Sequence, residues 1–332
     1  MKRFYFGVIL IFCYLCTQNL NVMAKIINKE LLFAAIIICG LSVFTSCMSD
    51  SADNPVQPQP YPRERIVEFE GIDNGRDMGG LVMQDGRTVR FDMLVRSGNL
   101  SKATDADVAI LKGRYQLSDV FDFRFDAEVA AAPDRVIGGV NYTQLSTMPA
   151  AYIAALGLSM SGSGKVDTRD LGPLVMQLAF DPQAQMFAKQ LYPAIVTDSQ
   201  AQSYYGEFLR GVLAAKGGVL WHCSHGKDRA GWASAFVLAA LGAGREVIVE
   251  DFYLSNDSYA DKVEALSALV RDMEGAEGAI AFIKAMVGVS RENFEATLDL
   301  IDQKYGSMSQ YLENQLGFSK EEQRLLRDKY LR

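Results

Sequence analysis

Five residues separate a thiol from a guanidinium in the run Trp221-His222-Cys223-Ser224-His225-Gly226-Lys227-Asp228-Arg229-Ala230-Gly231, which also holds the chain's two histidines. Cysteine attacks as its thiolate, a form favoured at helix amino termini and beside cations. Arg229 offers a planar fork that can grip two non-bridging phosphate oxygens. Gly226 lets the backbone turn tightly enough to aim its N–H groups inward. Phosphoryl transfer depends mainly on positioning and charge stabilisation, so the segment points to attack on phosphate esters. Ser224, His225, Gly226, Lys227, Ala230 and Gly231 would complete the anion cradle around Cys223 and Arg229. Plainer readings compete: a cysteine after an apolar strand is often a small buried hydrophobe. His222, Cys223 and His225, helped by Asp228, could also suggest a metal. No second cysteine lies nearby and these are the only histidines, so no metal is expected. His222 is expected to orient the loop, and Lys227 to touch the anion.

The flanking elements must place this loop. Gly217 to Trp221 is short and apolar, as a buried parallel strand would be. Ala230 to Leu241 is apolar almost all round and is followed by Gly242 and Gly244, which predicts a buried helix. The loop then joins a strand's carboxyl end to a helix's amino end, where unpaired N–H groups favour an anion. Upstream, Arg65–Ile72 and Thr88–Val95 alternate enough to be strands near an edge. Thr104 could cap a helix over Asp105–Gln116, feeding a buried strand over Asp119–Phe125, and Val140–Leu145 is a further candidate. Strands alternating with helices predict an α/β fold with a mainly parallel central sheet flanked by helices, the active loop lying at its carboxyl edge. A long insertion, 148–216, follows. Leu171–Phe187 looks helical with interruptions at Pro173 and Pro182, Tyr204–Ala214 looks like a core helix, and Ser319 to Glu322 is a capping box for the last helix.

The central run resembles the signature loop of cysteine-dependent tyrosine phosphatases in the form His-Cys-x-x-Gly-Lys-Asp-Arg-x-Gly, as found in the bacterial tyrosine/serine phosphatase family. Other blocks are similar too: Asn74 to Gly80, Arg96 to Ser101, Asp122-Phe123-Arg124 with Glu128, Asp251 to Asn256, and Tyr305-Gly306-Ser307. The resemblance covers residues 65 to 332. It implies a cysteine-phosphatase fold whose helical lid, residues 148–203, covers the pocket. It also implies Cys223 as nucleophile, Arg229 as phosphate clamp and Asp228 as general acid, with Arg76, Asp77, Asp122 and Arg124 in support and no cofactor. Asp228 would suit a helix N-cap equally well. Two positions depart from the family pattern. His225 stands where a small residue is usual, and Ala230 replaces a hydroxyl residue that helps release phosphate, which predicts an accumulating intermediate. The implied substrates are phosphorylated proteins, chiefly at phosphotyrosine. Phosphoinositides or small phosphate esters stay open, as does a non-catalytic phosphate-binding module; His222 with Arg229 and the upstream blocks argue against sulfur transfer.

The amino-terminal part carries a different signal. Lys25 and Lys29 precede the apolar run Leu31–Phe44, and Thr45-Ser46-Cys47 follows, the pattern of an export signal. Cys47 resembles the acylated cysteine of bacterial lipoproteins. The expected organisation is a signal segment over 1–46, with translation starting at Met23, then a lipidated Cys47 and disordered tether over 47–62, and a phosphatase domain over 63–332. This implies an exported, membrane-anchored lipoprotein of the cell envelope, whose one free thiol would be Cys223. Removing residues 1–46 takes away four basic residues and one acidic, moving the formal charge from −7 to −10. Such an acidic body argues against a nucleic-acid partner.

Overall fold

A computed structural model describes residues 65–154 and 172–332. The expected signal segment, Cys47 and the tether lie outside the described residues, as do residues 155–171 of the expected lid. Among the described residues no helix is long and apolar enough to cross a membrane.

A five-stranded sheet organises the fold. Its strands are β1 (Arg76–Asp77), β2 (Leu94–Ser97), β3 (Leu117–Asp122), β4 (Asn141–Gln144) and β5 (Gly218–His222), in the order β1-β2-β5-β3-β4. All neighbours are parallel except β1 and β2. The α/β expectation therefore stands, with β5 at the centre. Every residue of β5 is buried, as a strand covered on both faces must be. Its side chains alternate between two cores: Val219, Trp221 and Cys223 face one, Leu220 the other. The register sets Asp122 and Ser97 on either side of His222, so three strands end level beside the loop.

The helices follow in chain order: α1 (Asp105–Gly113), α2 (Asp126–Ala131), α3 (Gly172–Leu178), α4 (Pro182–Thr197), α5 (Ser199–Ala214) and α6 (Asp228–Leu241). Then come α7 (Arg245–Tyr253), α8 (Ser255–Val270), α9 (Ala276–Val287), α10 (Arg291–Tyr305), α11 (Met308–Asn314) and α12 (Lys320–Tyr330). Thr104 caps α1 in a capping box with Asp107, and Ser319 caps α12 in one with Glu322. α6 is buried almost all round and stops at Gly242, whose φ of 96° suits a left-handed cap.

One expectation needs correction. Arg65–Ile72 and Thr88–Val95 are not strands; apart from the start of β2 they make only isolated bridges, Ile66 with Arg76, Thr88 with Val82 and Val89 with Leu331. Carboxylates take up their backbone groups instead, Asp107 accepting from Glu70 and Gly71 N–H, and Asp77 from Gly79 and Asp92 N–H. The expected interruption at Pro182 is present: α3 ends at Leu178, and Pro182 opens α4, capped by Asp181. The described helices of the expected lid do not stand apart from the apolar cores. α3 and the first half of α4 share a third apolar core with α8 and α9 through Val175, Ala179, Tyr259, Val270, Phe282 and Ile283. The second half of α4 enters the main core through Tyr192, Ile195 and Val196.

Candidate active site

Between β5 and α6 the chain turns its carbonyls outward. The Ser224 carbonyl accepts from Asn99 Nδ2 at 2.8 Å. That of His225 accepts from Tyr259 Oη at 2.6 Å and Asn74 Nδ2 at 3.2 Å. The Gly226 carbonyl accepts from Asn74 Nδ2 at 3.0 Å and Arg96 Nη2 at 2.8 Å, and that of Lys227 from Arg96 Nη2 at 3.1 Å. A peptide's C=O and N–H point opposite ways, so the N–H groups of His225 through Asp228 face inward. Among the described residues no acceptor meets the N–H groups of Ser224 through Ala230. Such convergent donors, at the start of a buried helix, form a nest for a tetrahedral anion. Gly226 is what allows the turn. Its φ is 66°, and an added Cβ would lie 2.3 Å from the Ser97 carbonyl carbon.

Cys223 sits at the base of this nest, buried and 2% exposed, and is the one free cysteine among the described residues. Arg229, on the first turn of α6, is held by a residue the sequence reading quoted without a role. Glu128 accepts from Nη1 at 2.6 Å and from Nη2 at 2.7 Å, a fork-on-fork pair. Glu128 also accepts from Ser224 Oγ at 2.6 Å, and Phe123 O accepts from Arg229 Nη1 at 3.1 Å. Burial alone would raise the Glu128 carboxyl, but the guanidinium and these donors hold it below the usual glutamate range. The same carboxylate keeps Arg229 charged despite its burial. Arg229 Nε meets no acceptor among the described residues, which leaves it able to donate to an anion.

Behind the nest lies a buried charge cluster. Arg124 donates from Nε to both Asp122 oxygens at 2.9 Å, and its Nη2 lies 2.7 Å from Asp122 Oδ2 and 2.8 Å from Asp134 Oδ2. His222 Nε2 is 3.1 Å from Asp134, and Nδ1 is 3.6 Å from Asp122 and 3.3 Å from the Cys223 carbonyl. Burial would lower the His222 pKa, yet Asp122 and Asp134 together raise it above the ordinary histidine value. Burial would likewise raise Asp122, but His222, Arg124 and the Tyr142 hydroxyl bring it down to about 2. Asp122, Asp134 and His222 carry ligand atoms within 4.8 Å of one another, spacing that could suit a metal. Between the two carboxylates, however, stands the Arg124 guanidinium, which supplies the cation itself.

The remaining expected residues divide. Asp228 takes the first helical position rather than the N-cap, which is Lys227. Its Oδ1 accepts from Tyr192 Oη at 2.7 Å, and its Oδ2 lies 3.3 Å from Lys227 Nζ. Lys227, expected to touch the anion, turns its ammonium to the carbonyls of Met286 at 2.6 Å and Gly288 at 2.8 Å, at the end of α9. His225 is partly buried. Burial first, then the Lys227 charge, pushes its pKa down to about 4, so it offers the anion no charge near neutrality. Gly231 spends its N–H on the Lys227 carbonyl, and its missing Cβ makes room for the Phe252 ring, 2.5 Å from where that atom would stand. It is a packing position, not an anion contact. Ala230 is fully buried, its carbonyl taken by Trp221 Nε1 and Ser234 Oγ.

Arg76 supports the loop from outside. It bonds Asn74 Oδ1 and donates to Asp251 O and Ser255 Oγ. Asp251 in turn pairs with Arg65 at 2.9 Å and Arg96 at 2.8 Å. Asp77 is not brought to the nest: it holds the turn at Gly79 and Asp92, and burial raises its pKa. Sequence reasoning missed Asp134 and Tyr192, which nothing local marks. It also gave no role to Asn74, Arg96, Asn99 and Asp251, although all four stand in the quoted blocks.

The chain matches the tyrosine phosphatase family over residues 67–332. It is 32% identical over 274 residues to a Cupriavidus necator protein named as a tyrosine-protein phosphatase, covering 81% of this chain and 92% of that one. It is 31% identical over 266 residues to the triple specificity protein phosphatase PtpB of Mycobacterium tuberculosis, covering 74% of this chain and 92% of that one. A match of this extent, over a loop that gathers a thiol, a guanidinium and inward N–H groups, makes the chain a member of the tyrosine phosphatase family.

Proposed function

We propose that the protein hydrolyses phosphate monoesters, chiefly phosphotyrosine in proteins, through a phosphocysteine at Cys223. The observation that carries this reading is the set of unengaged N–H groups from Ser224 to Ala230 gathered over Cys223, with Arg229 oriented by Glu128. In the first step Cys223 Sγ attacks phosphorus, a P–S bond forms and the P–O bond breaks. The leaving oxygen takes a proton from Asp228. In the second step water attacks phosphorus, gives its proton to the Asp228 carboxylate, and the P–S bond breaks to release phosphate and the thiolate. The nest and Arg229 neutralise charge on the non-bridging oxygens throughout. Preference for a single phosphate over a polyphosphorylated headgroup is supported by Lys227, whose ammonium is already bound to two carbonyls and Asp228. The Mycobacterium relative is named a triple specificity phosphatase, which supports a substrate panel broader than phosphotyrosine alone.

With alanine at position 230, breakdown of the intermediate is expected to be the slower step. The test is rapid mixing of the full chain with 4-nitrophenyl phosphate and with a phosphotyrosine peptide. The expected result is a burst of product matching the enzyme concentration, then slower turnover, both lost in Cys223→Ser. A Cys223→Ser variant that still turns over would sink the phosphocysteine reading. Tight phosphopeptide binding without turnover by the native chain would mark a binding module.

A further inference from the structure

Asp228 is oriented by another helix, not by its own. Its Oδ1 accepts from Tyr192 Oη at 2.7 Å, across 36 residues of chain, and its Oδ2 faces Lys227 Nζ at 3.3 Å. Tyr192 comes from α4, where that helix enters the main core. Its ring packs edge-on to Trp232 at 6.3 Å and to Phe252 at 5.5 Å, between centroids. Trp232 lies four residues after Asp228 on α6, hence on the same helix face, so one packing contact sets both the ring and the acid it addresses.

We propose that Tyr192 is the positioning residue for Asp228, its hydroxyl fixing Oδ1 so that Oδ2 alone exchanges the proton with leaving group and water. The proposal rests on the phosphocysteine reading above. A carboxyl on a helix's first turn can rotate about two bonds, whereas a phenol proton is directional and engages one oxygen. Tyr192 stays protonated: burial first, then the neighbouring Asp228 charge, hold its pKa well above the ordinary tyrosine value. With Oδ1 accepting that bond, the acid proton resides on Oδ2. It passes to the leaving oxygen as the P–O bond breaks, and Oδ2 recovers a proton from the attacking water. A hydroxyl that merely packed would have no preference among substrates.

The test compares two aryl phosphates in the full chain. The 4-nitrophenolate leaves readily without protonation; phenolate does not, and depends on the acid. Tyr192→Phe keeps the ring and its contacts. It is expected to lower kcat/KM for phenyl phosphate roughly tenfold while changing that for 4-nitrophenyl phosphate by less than about twofold. Asp228→Asn is expected to show the same bias more strongly, and the rate of Cys223 alkylation by iodoacetate should match the native chain in Tyr192→Phe. Equal loss on both substrates, or no loss on either, would overturn the positioning role. An unbiased Asp228→Asn would instead remove the acid assignment, and an active Cys223→Ser the phosphocysteine reading, so the two failures are distinguishable.

Discussion

Arg229 has five N–H groups, and the structure divides them by task. The Nη atoms meet Glu128, Phe123 O and Ser224, while Nε faces no acceptor among the described residues. Glu128 therefore acts through Arg229: it holds one side of the fork so that the other is aimed before any anion arrives. Glutamine at position 128 would keep the size but place an amide N–H against a guanidinium N–H and remove the compensating charge. Glu128→Gln is expected to lower kcat/KM by about 10- to 100-fold. It should also destabilise the fold by about 3 kcal/mol, since it leaves a buried cation without its partner. The pH dependence has a definite sign. Because the Glu128 carboxyl sits below its ordinary range, its contribution is complete above that range and is lost as pH falls through the folded value. Urea titrations below about pH 4 should therefore fall more steeply for the native chain than for Glu128→Gln. Parallel curves would show that the pair does not carry this linkage.

At the scale of elements, the catalytic segment was legible because its signals are local: an apolar run, a glycine, then an apolar helix ended by another glycine. β5 and α6 fall within two residues of their expected bounds. The front of the chain was not legible. Its alternation over Arg65–Ile72 looks like a strand, but Asn74 at φ 56° and Asp92 at φ 64° bend the backbone, and carboxylates satisfy it. Asp134 and Tyr192 were invisible for a different reason, since their partners lie far along the chain. What was legible at Gly226 can be tested sharply. A Cβ there would press on the Ser97 carbonyl, which belongs to β2 and cannot retreat without disturbing the sheet. Gly226→Ala should lose about 1–3 kcal/mol of stability and most phosphatase activity. Gly86→Ala separates the two causes: Gly86 shares the positive φ, at 84°, but a Cβ there would meet nothing within 4 Å. It should show the backbone cost with activity retained. If Gly226→Ala is as active as Gly86→Ala, close approach at the loop is not required.

Across the whole molecule the chain's only two histidines have pKa values displaced in opposite senses, and together they should centre its stability on one pH. His222 ties the end of β5 to β3 and to Asp134, and its pKa is raised because Asp122 and Asp134 outweigh the cost of burial. A raised pKa means that its contribution is complete below the ordinary histidine value, near ~6.5, and is lost as pH rises through the folded value. His225 is held neutral, its pKa lowered to about 4 by burial and then by Lys227. Its contribution is complete above ~6.5 and drains away as pH falls toward the folded value. Asp122, at about 2, and Glu128 add losses only at lower pH. Stability should thus peak near ~6.5 and decline on both sides, each histidine governing one flank. Trp221 and Trp232 are fully buried beside the catalytic loop, so their fluorescence reports the unfolding that measures this. His222→Gln, neutral at every pH, should lower the peak and flatten the alkaline flank above about pH 6.5, leaving the acid flank intact. His225→Gln should flatten the acid flank between about pH 6.5 and 4 and leave the alkaline one. If both variants kept the native curve's shape, the buried histidines would not be what tunes this fold to pH, and the cluster behind Cys223 would serve geometry alone.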